Sequence, residues 1–198
     1  MTVYAWREAW LPQRFRMVLQ PNERVHTSPY TQGEQVIDLL GERWHVEMTL
    51  AERRPEHGAA LEAFFARLRG SAHQIRLWHF RRPVPRGTLR GSPVLGTAVA
   101  QGAAVVTIDD AGAGATLLEG DLIGLSGQLL MVAEDAVANA AGEMTVHVSN
   151  RLRAAVASGT AVIWDRPTTE FRLMSPAAPG YRPRAAEAME LEFREHWA

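Results

Sequence analysis

Strict alternation of apolar and polar positions marks two segments of the chain. In Arg43-Trp44-His45-Val46-Glu47-Met48-Thr49-Leu50 every second side chain is apolar, and Met189-Glu190-Leu191-Glu192-Phe193-Arg194 repeats the pattern. A period of two sends one set of side chains into a core and the other into water, so both segments are predicted strands. Apolar runs at 75–80 and 171–174 are their candidate partners. A different period follows the first strand. After Pro55, Leu61, Phe64, Phe65 and Leu68 recur at 0, 3, 4 and 7; Arg67, Arg69 and Gly70 then close the stretch. This spacing predicts a helix over about 55–69. Proline suits its first turn, glycine its end, and the arginines the negative end of its dipole. Its single apolar stripe is expected to lie on the sheet.

The middle of the chain has another texture. Short apolar runs at 103–108, 121–125, 128–133, 144–148 and 160–164 are divided by small-residue turns at 111–115 and 139–142. Ser126-Gly127 between two of the runs suits a tight hairpin. Short strands in such number fit a small barrel that closes its own edges. Its expected core is aliphatic: Val105, Leu122, Ile123, Leu129, Met131, Val146 and Val162.

Composition follows the same division. Of 15 Phe, Trp and Tyr, only Trp164 lies within residues 91–165. Residues 1–90 hold 14 Arg against 9 acids, residues 91–165 hold 2 against 8, and residues 166–198 hold 5 of each, for a net charge of −1. The prediction is a mainly β (α+β) chain. Residues 1–90 and 166–198 form a β-sandwich host with one packed helix, and residues 91–165 form an inserted small β-barrel. Arg82-Pro83-Val84-Pro85-Arg86-Gly87 and Asp165-Arg166-Pro167 are the two necks, where proline stiffens the crossing. One continuous β domain with a composition gradient is the alternative.

The chemistry such a chain can carry is narrowed from several sides. All 21 basic residues are arginine, and a net charge of −1 argues against a general polyanion binder. With no cysteine there are no disulfides, thiolate metal sites or cysteine nucleophile. The first twenty residues lack an apolar block, so no secretory signal is expected, and the longest uncharged stretch is broken by Pro93, Gly96, Gln101 and Gly102, which rules it out as a membrane span. Ser126 sits in Gly-Leu-Ser-Gly-Gln, one position short of a nucleophile elbow, and reads as a turn residue. His73 and His79 stand six apart on a strand face, where metal binding is geometrically open, but strand histidines beside arginines are more often surface groups. His45 with Glu47 reads as a solvated pair. Asp109-Asp110 lacks the acidic spacing of a calcium loop, and Glu134-Asp135 reads as a turn cap. No triad or apolar carboxylate pair emerges, so the expectation is no enzyme, no cofactor and no metal.

The arginines admit two readings. Arg76, Arg81, Arg82, Arg86 and Arg90 cluster beside Trp78 and Phe80, a mix that could stack on single-stranded nucleic acid. Arginine is equally favoured at protein interfaces, and the acidic insert supplies a counter-charge that could meet the basic host between neighbouring copies. Such an assembly would weaken with salt.

The order of these segments resembles the distal tail proteins and related minor tail proteins of long-tailed (siphovirus-type) bacteriophages. The resemblance is carried by the leader with Trp10-Leu11-Pro12, the stretch from Ser28-Pro29-Tyr30 through Gln32-Gly33 to Val36, and Gly41-Glu42-Arg43-Trp44 with its strand. The helix ending Phe64-Phe65-Ala66-Arg67-Leu68-Arg69-Gly70, the neck, and Leu118-Glu119-Gly120-Asp121-Leu122-Ile123-Gly124-Leu125 carry the rest. It implies a host similar to the tail-tube fold, forming a homo-oligomeric ring, commonly of six copies, between the tail tube protein and the baseplate hub, with the tape measure protein a further partner. The implied location is the virion tail tip, after assembly in the host cytoplasm; neither membrane contact nor nucleic-acid specificity is implied. The insert is small and shows no obvious carbohydrate-binding domain, which counts against direct receptor recognition. The leader, residues 2–20, is either an arm laid on an adjacent subunit or a terminal strand of its own sheet. Interface candidates are Trp6, Trp10, Arg14, Arg16, Arg76, Arg81, Arg82 and Arg86. The rival function is a small β-barrel module that binds an oligosaccharide or single-stranded nucleic acid.

Overall fold

The computed structural model describes residues 1–197, and the chain is mainly β. From the N-terminus come β1 (Val3–Ala5), a 3-10 turn (Glu8–Trp10), β2 (Arg14–Gln20), β3 (Glu23–Thr27), β4 (Glu34–Asp38) and β5 (Arg43–Leu50). Then follow α1 (Pro55–Leu68), β6 (Gln74–Trp78), β7 (Val94–Leu95), β8 (Val105–Asp109), β9 (Thr116–Leu117) and β10 (Leu122–Leu125). The last elements are β11 (Gln128–Met131), β12 (Ala136–Val137), β13 (Met144–His147), β14 (Val162–Ile163), β15 (Thr168–Leu173), β16 (Tyr181–Arg182), β17 (Ala185–Ala186) and β18 (Met189–Glu195). Two compact units result. One takes Met1–Val18, Trp44–Pro83 and the chain from Arg166 onward; the other takes Leu19–Arg43 and Val84–Asp165.

The first unit is built on a six-stranded sheet in the order β1-β6-β15-β18-β5-β2. β1 runs parallel to β6, whereas β6, β15, β18 and β5 pair antiparallel in turn. The alternation read in the sequence sorts the two faces. Trp44, Val46, Met48, Leu50, Leu191 and Phe193 are buried, as are Ile75, Leu77, Phe171 and Leu173 from the neighbouring strands. α1 buries Leu61, Phe64, Phe65 and Leu68. Rings join the two layers: Trp6 meets Phe64 at 6.2 Å and Phe193 at 6.3 Å, both edge to face. The helix begins at Pro55 and closes one residue before the predicted end, because Arg69 already turns left-handed at φ 50°, followed by Gly70 at φ 67°. In this unit the described residues form the six-stranded sheet and the short β16–β17 hairpin, which meets α1, and no second large sheet of a sandwich. Gly58 brings helix and hairpin together: a Cβ there would stand 2.3 Å from the Cβ of Ala186, so only glycine permits this approach. One carboxylate lies inside. Glu195 is 2% exposed and accepts bonds from the Trp44 N–H at 2.9 Å and the Thr169 hydroxyl at 2.7 Å. Hydrogen bonds of this kind offset the cost of burying its polar oxygens.

In the second unit β7 pairs with β8, β8 with β13, β11 with β10, and β10 with β14, all antiparallel. Two bridges complete a circuit. Val132 opposes Val148, with Ala133 N–H bonded to His147 O and Ser149 N–H to Met131 O. Val94 opposes Ala161, with Leu95 N–H bonded to Thr160 O and Val162 N–H to Pro93 O. Backbone pairing thus runs β7-β8-β13-β11-β10-β14 and back to β7, around a core of Leu, Val, Ile, Ala and Met side chains. Of the expected core residues, Leu122, Ile123, Leu129, Val146 and Val162 are buried. Val105 is not: it is 41% exposed, and its neighbour Val106 takes the inward place. Met131 is half-buried, while Leu130 is buried. Ser126 (φ 49°) and Gly127 (φ 80°) make the two-residue turn between β10 and β11, both left-handed, as a type I′ hairpin demands. Side-chain amides extend the ladder. Asn150 accepts from Met131 N–H and donates to Leu129 O, while Gln128 donates to Arg151 O and accepts from Arg153 N–H.

Candidate interaction surfaces

The wetted face of the six-stranded sheet carries charge in cross-strand pairs. Arg76 lies 3.2 Å from Glu170, and Arg16 lies 3.2 Å from Glu47. Partly exposed pairs like these contribute only a few tenths of a kcal/mol each, roughly, so they do little to hold the fold. Arg172 and Arg194 stand directly opposite each other on β15 and β18, a like-charge neighbour pair. At the β2 end of this face a groove of about 650 Å³ is lined by Arg14, Arg16, Thr49, Ser175, Glu190 and Leu191, among others. β2 closes the sheet order, so one row of its N–H and C=O groups faces away from β5. Its side chains alternate: Arg14, Arg16, Val18 and Gln20 are exposed, while Phe15, Met17 and Leu19 are half-buried.

The β3–β4 hairpin is unlike any other part of the molecule. Its pairing runs from Glu23 opposite Asp38 to Thr27 opposite Glu34, and all ten residues are exposed. Apolar side chains stay in water here: Val25 is 50% exposed, Val36 58%, and Tyr30 in the connecting turn 93%. Strand alternation divides the hairpin into two faces. Glu23, Val25, Thr27, Glu34, Val36 and Asp38 share one face, and Arg24, His26, Gln35 and Ile37 the other. The first face thus holds three carboxylates around a Val25–Val36 pair and no base. At the base of the hairpin Leu39 N–H bonds to Asn22 O, and the Asn22 side-chain amide donates to Leu40 O.

The interface candidates scatter across these surroundings. Trp6 and Trp10 are 4% and 5% exposed, packed against each other and against Phe64, with Trp6 Nε1–H donating to Trp10 O. They are core residues of their own unit, a correction to their place among surface candidates. The leader around them contributes β1 and β2 to its own sheet. Arg14 is exposed in the groove, beside Arg16. Arg81 reaches Gln13 O, and the Arg82 backbone N–H bonds to His79 Nδ1 at 3.0 Å. Arg86 lies against Asp121 in the second unit, and its guanidinium also meets Glu119 O. Asp121, 2% exposed, accepts from the N–H groups of Arg86, Gly87 and Leu118 at 2.9, 3.0 and 2.8 Å.

The two histidines weighed for metal have separate surroundings. His73 Nδ1 accepts from Thr2 N–H, and its ring meets Tyr4. His79 is buried against Phe15, and burial, with the Arg82 guanidinium adding to it, lowers its pKa to about 4. It is therefore neutral at neutral pH. Glu134 faces His147 at 3.4 Å, and Asp135 caps Glu119 N–H. The surface that sequence reading missed is the hairpin. Its only sequence signal is a β-branched pair of runs around Ser28-Pro29 and Gln32-Gly33, without the alternation that burial imposes. No protein-family model matches this chain, and no curated protein matches it either.

Proposed function

We propose that this chain is a structural, non-enzymatic phage tail component: a ring-forming distal tail adaptor that joins the tail tube to the baseplate hub at the tail tip. The class comes from the sequence resemblance to distal tail proteins. The observation that carries the self-assembly part is the β3–β4 hairpin, where ten paired residues are all exposed and Val25 and Val36 stand in water. A two-stranded hairpin without packing is marginal in water, so a sequence that keeps one has a use for it in a partner's company. An adaptor in a ring supplies that partner as another copy, since heterologous contacts that close give rings. The tail tube, baseplate hub and tape measure proteins would then meet the ring's other surfaces.

Light scattering on the purified chain, followed by electron micrographs, tests this reading. The expected result is a closed multimer, with six copies as the expected number. A monomer at high concentration that binds an oligosaccharide or a single strand would replace it with the ligand-binding module.

A further inference from the structure

We infer that the acidic face of the β3–β4 hairpin in one copy adds onto the arginine-bearing edge strand β2 of a second copy. This rests on the ring-forming reading and names the two surfaces that join.

Both partners have free backbone and matching periodicity. β2 ends its sheet order, and β3 with β4 forms a two-stranded sheet of its own, so each offers an unpaired row of N–H and C=O groups. Same-face residues recur about every 6.7 Å along any strand, so the two patterns can stay in step. An antiparallel alignment of β4 on β2 that sets Val18 opposite Val36 also sets Arg16 opposite Asp38 and Met17 opposite Ile37. Glu23 of the hairpin pairs with Asp38, so a second carboxylate follows on the next strand, within the reach of long arginine side chains. All the apolar groups involved are left partly in water in the single chain: Val18 37%, Val36 58% and Ile37 39% exposed, with Met17 half-buried. The charges match in sign. The hairpin face carries Glu23, Glu34 and Asp38 without a base, and the exposed side of β2 carries Arg14 and Arg16 without an acid. Arg16 already faces Glu47 on β5, so Asp38 would place it between two carboxylates. A one-residue slip would set the arginines on the wrong face, so the same charges also fix the register.

The alternative role for Arg14 and Arg16 is to guard the edge and keep copies apart, as charges on edge strands often do. The whole chain separates the two roles through charge-reversed pairs, Glu23→Arg with Asp38→Arg, and Arg14→Glu with Arg16→Glu, measured by light scattering and circular dichroism. All four positions are exposed, so the fold is expected to survive. Each reversed pair should weaken assembly by about tenfold or more. Mixing the two reversed proteins in equal amounts should restore it, because each reversed surface then meets its complement and each native surface a native one. If the unaltered chain assembles and neither reversal matters, or if mixing restores nothing, this inference fails while the ring-forming reading stands. If the unaltered chain remains monomeric at high concentration, that reading fails and this inference with it. Assembly that strengthens on removing the β2 arginines would identify them as guards and also overturn it.

Discussion

The two units hold their cores together by different means. In the first, rings do it: Phe64 lies edge to face with Tyr4, Trp6, Trp10 and Phe65, and Trp6 carries the cluster on to Phe193. In the second, aliphatic side chains fill a closed circuit of strands, and the loops are fixed by buried polar groups such as Asp121, Asn150 and Gln128. The difference extends to their edges. A closed circuit has no edge to offer, whereas the open sheet ends at β2 and β1. Strand addition is thus available to this molecule at the open sheet of the first unit and at the β3–β4 hairpin of the second, while the closed circuit of strands in the second unit offers side-chain surface only.

Removing one ring should break this contrast most visibly. Phe64→Ala takes away a 5%-exposed side chain with four aromatic neighbours, and is expected to cost about 3–5 kcal/mol. Hydrogen exchange should show protection lost in β5, β6, β15 and β18, while β8, β10, β11 and β13 keep theirs; uniform loss in both units would mean that they do not unfold separately. The mirror experiment is Asp121→Ala, which leaves three backbone N–H groups without their acceptor. A loss of about 2–4 kcal/mol is expected, now confined to exchange in the second unit. The smallest effect is a pH dependence confined to the first unit. His79 keeps a pKa of about 4 when folded, against about 6.5 in an unfolded chain. Between those values the unfolded chain takes up a proton that the folded one refuses, so stability should fall as pH drops from about 6.5 to 4. The loss is roughly 1–3 kcal/mol after allowing for solvent screening, and denaturant melts of His79→Asn should show a flatter profile across that window.

What could be read from the sequence depends on whether burial wrote a period into it. β5, β18 and α1 each bury one face and were legible nearly to the residue. The five middle runs each overlap a strand of the structure, but the parity of Val105 and Val106 was not legible, because apolar residues occupy both faces of that run. β2 carries exposed Val18 on its arginine face, which blurs its alternation, and β3 and β4 bury neither face and so leave no period at all. β7, β9 and β12, at two residues each, are too short to show one. The same physics explains Trp6 and Trp10. Their aromatic character was visible, but their burial arises from long-range contact with Phe64 and Phe193, which local pattern does not encode.

The necks are fastened on both sides. In the first unit Arg166 N–H bonds to Pro83 O at 2.7 Å; in the second, the Trp164 indole N–H bonds to Gly91 O at 2.9 Å, with the Arg90 guanidinium over its ring. Chain ends held this near to each other behave, for the sheet that carries them, like the two sides of a short turn. The entropy of closing a loop grows only with the logarithm of its length. Evolution can therefore exchange, enlarge or trim the chain between Pro83 and Arg166 at little entropic cost to the sheet that carries its two ends.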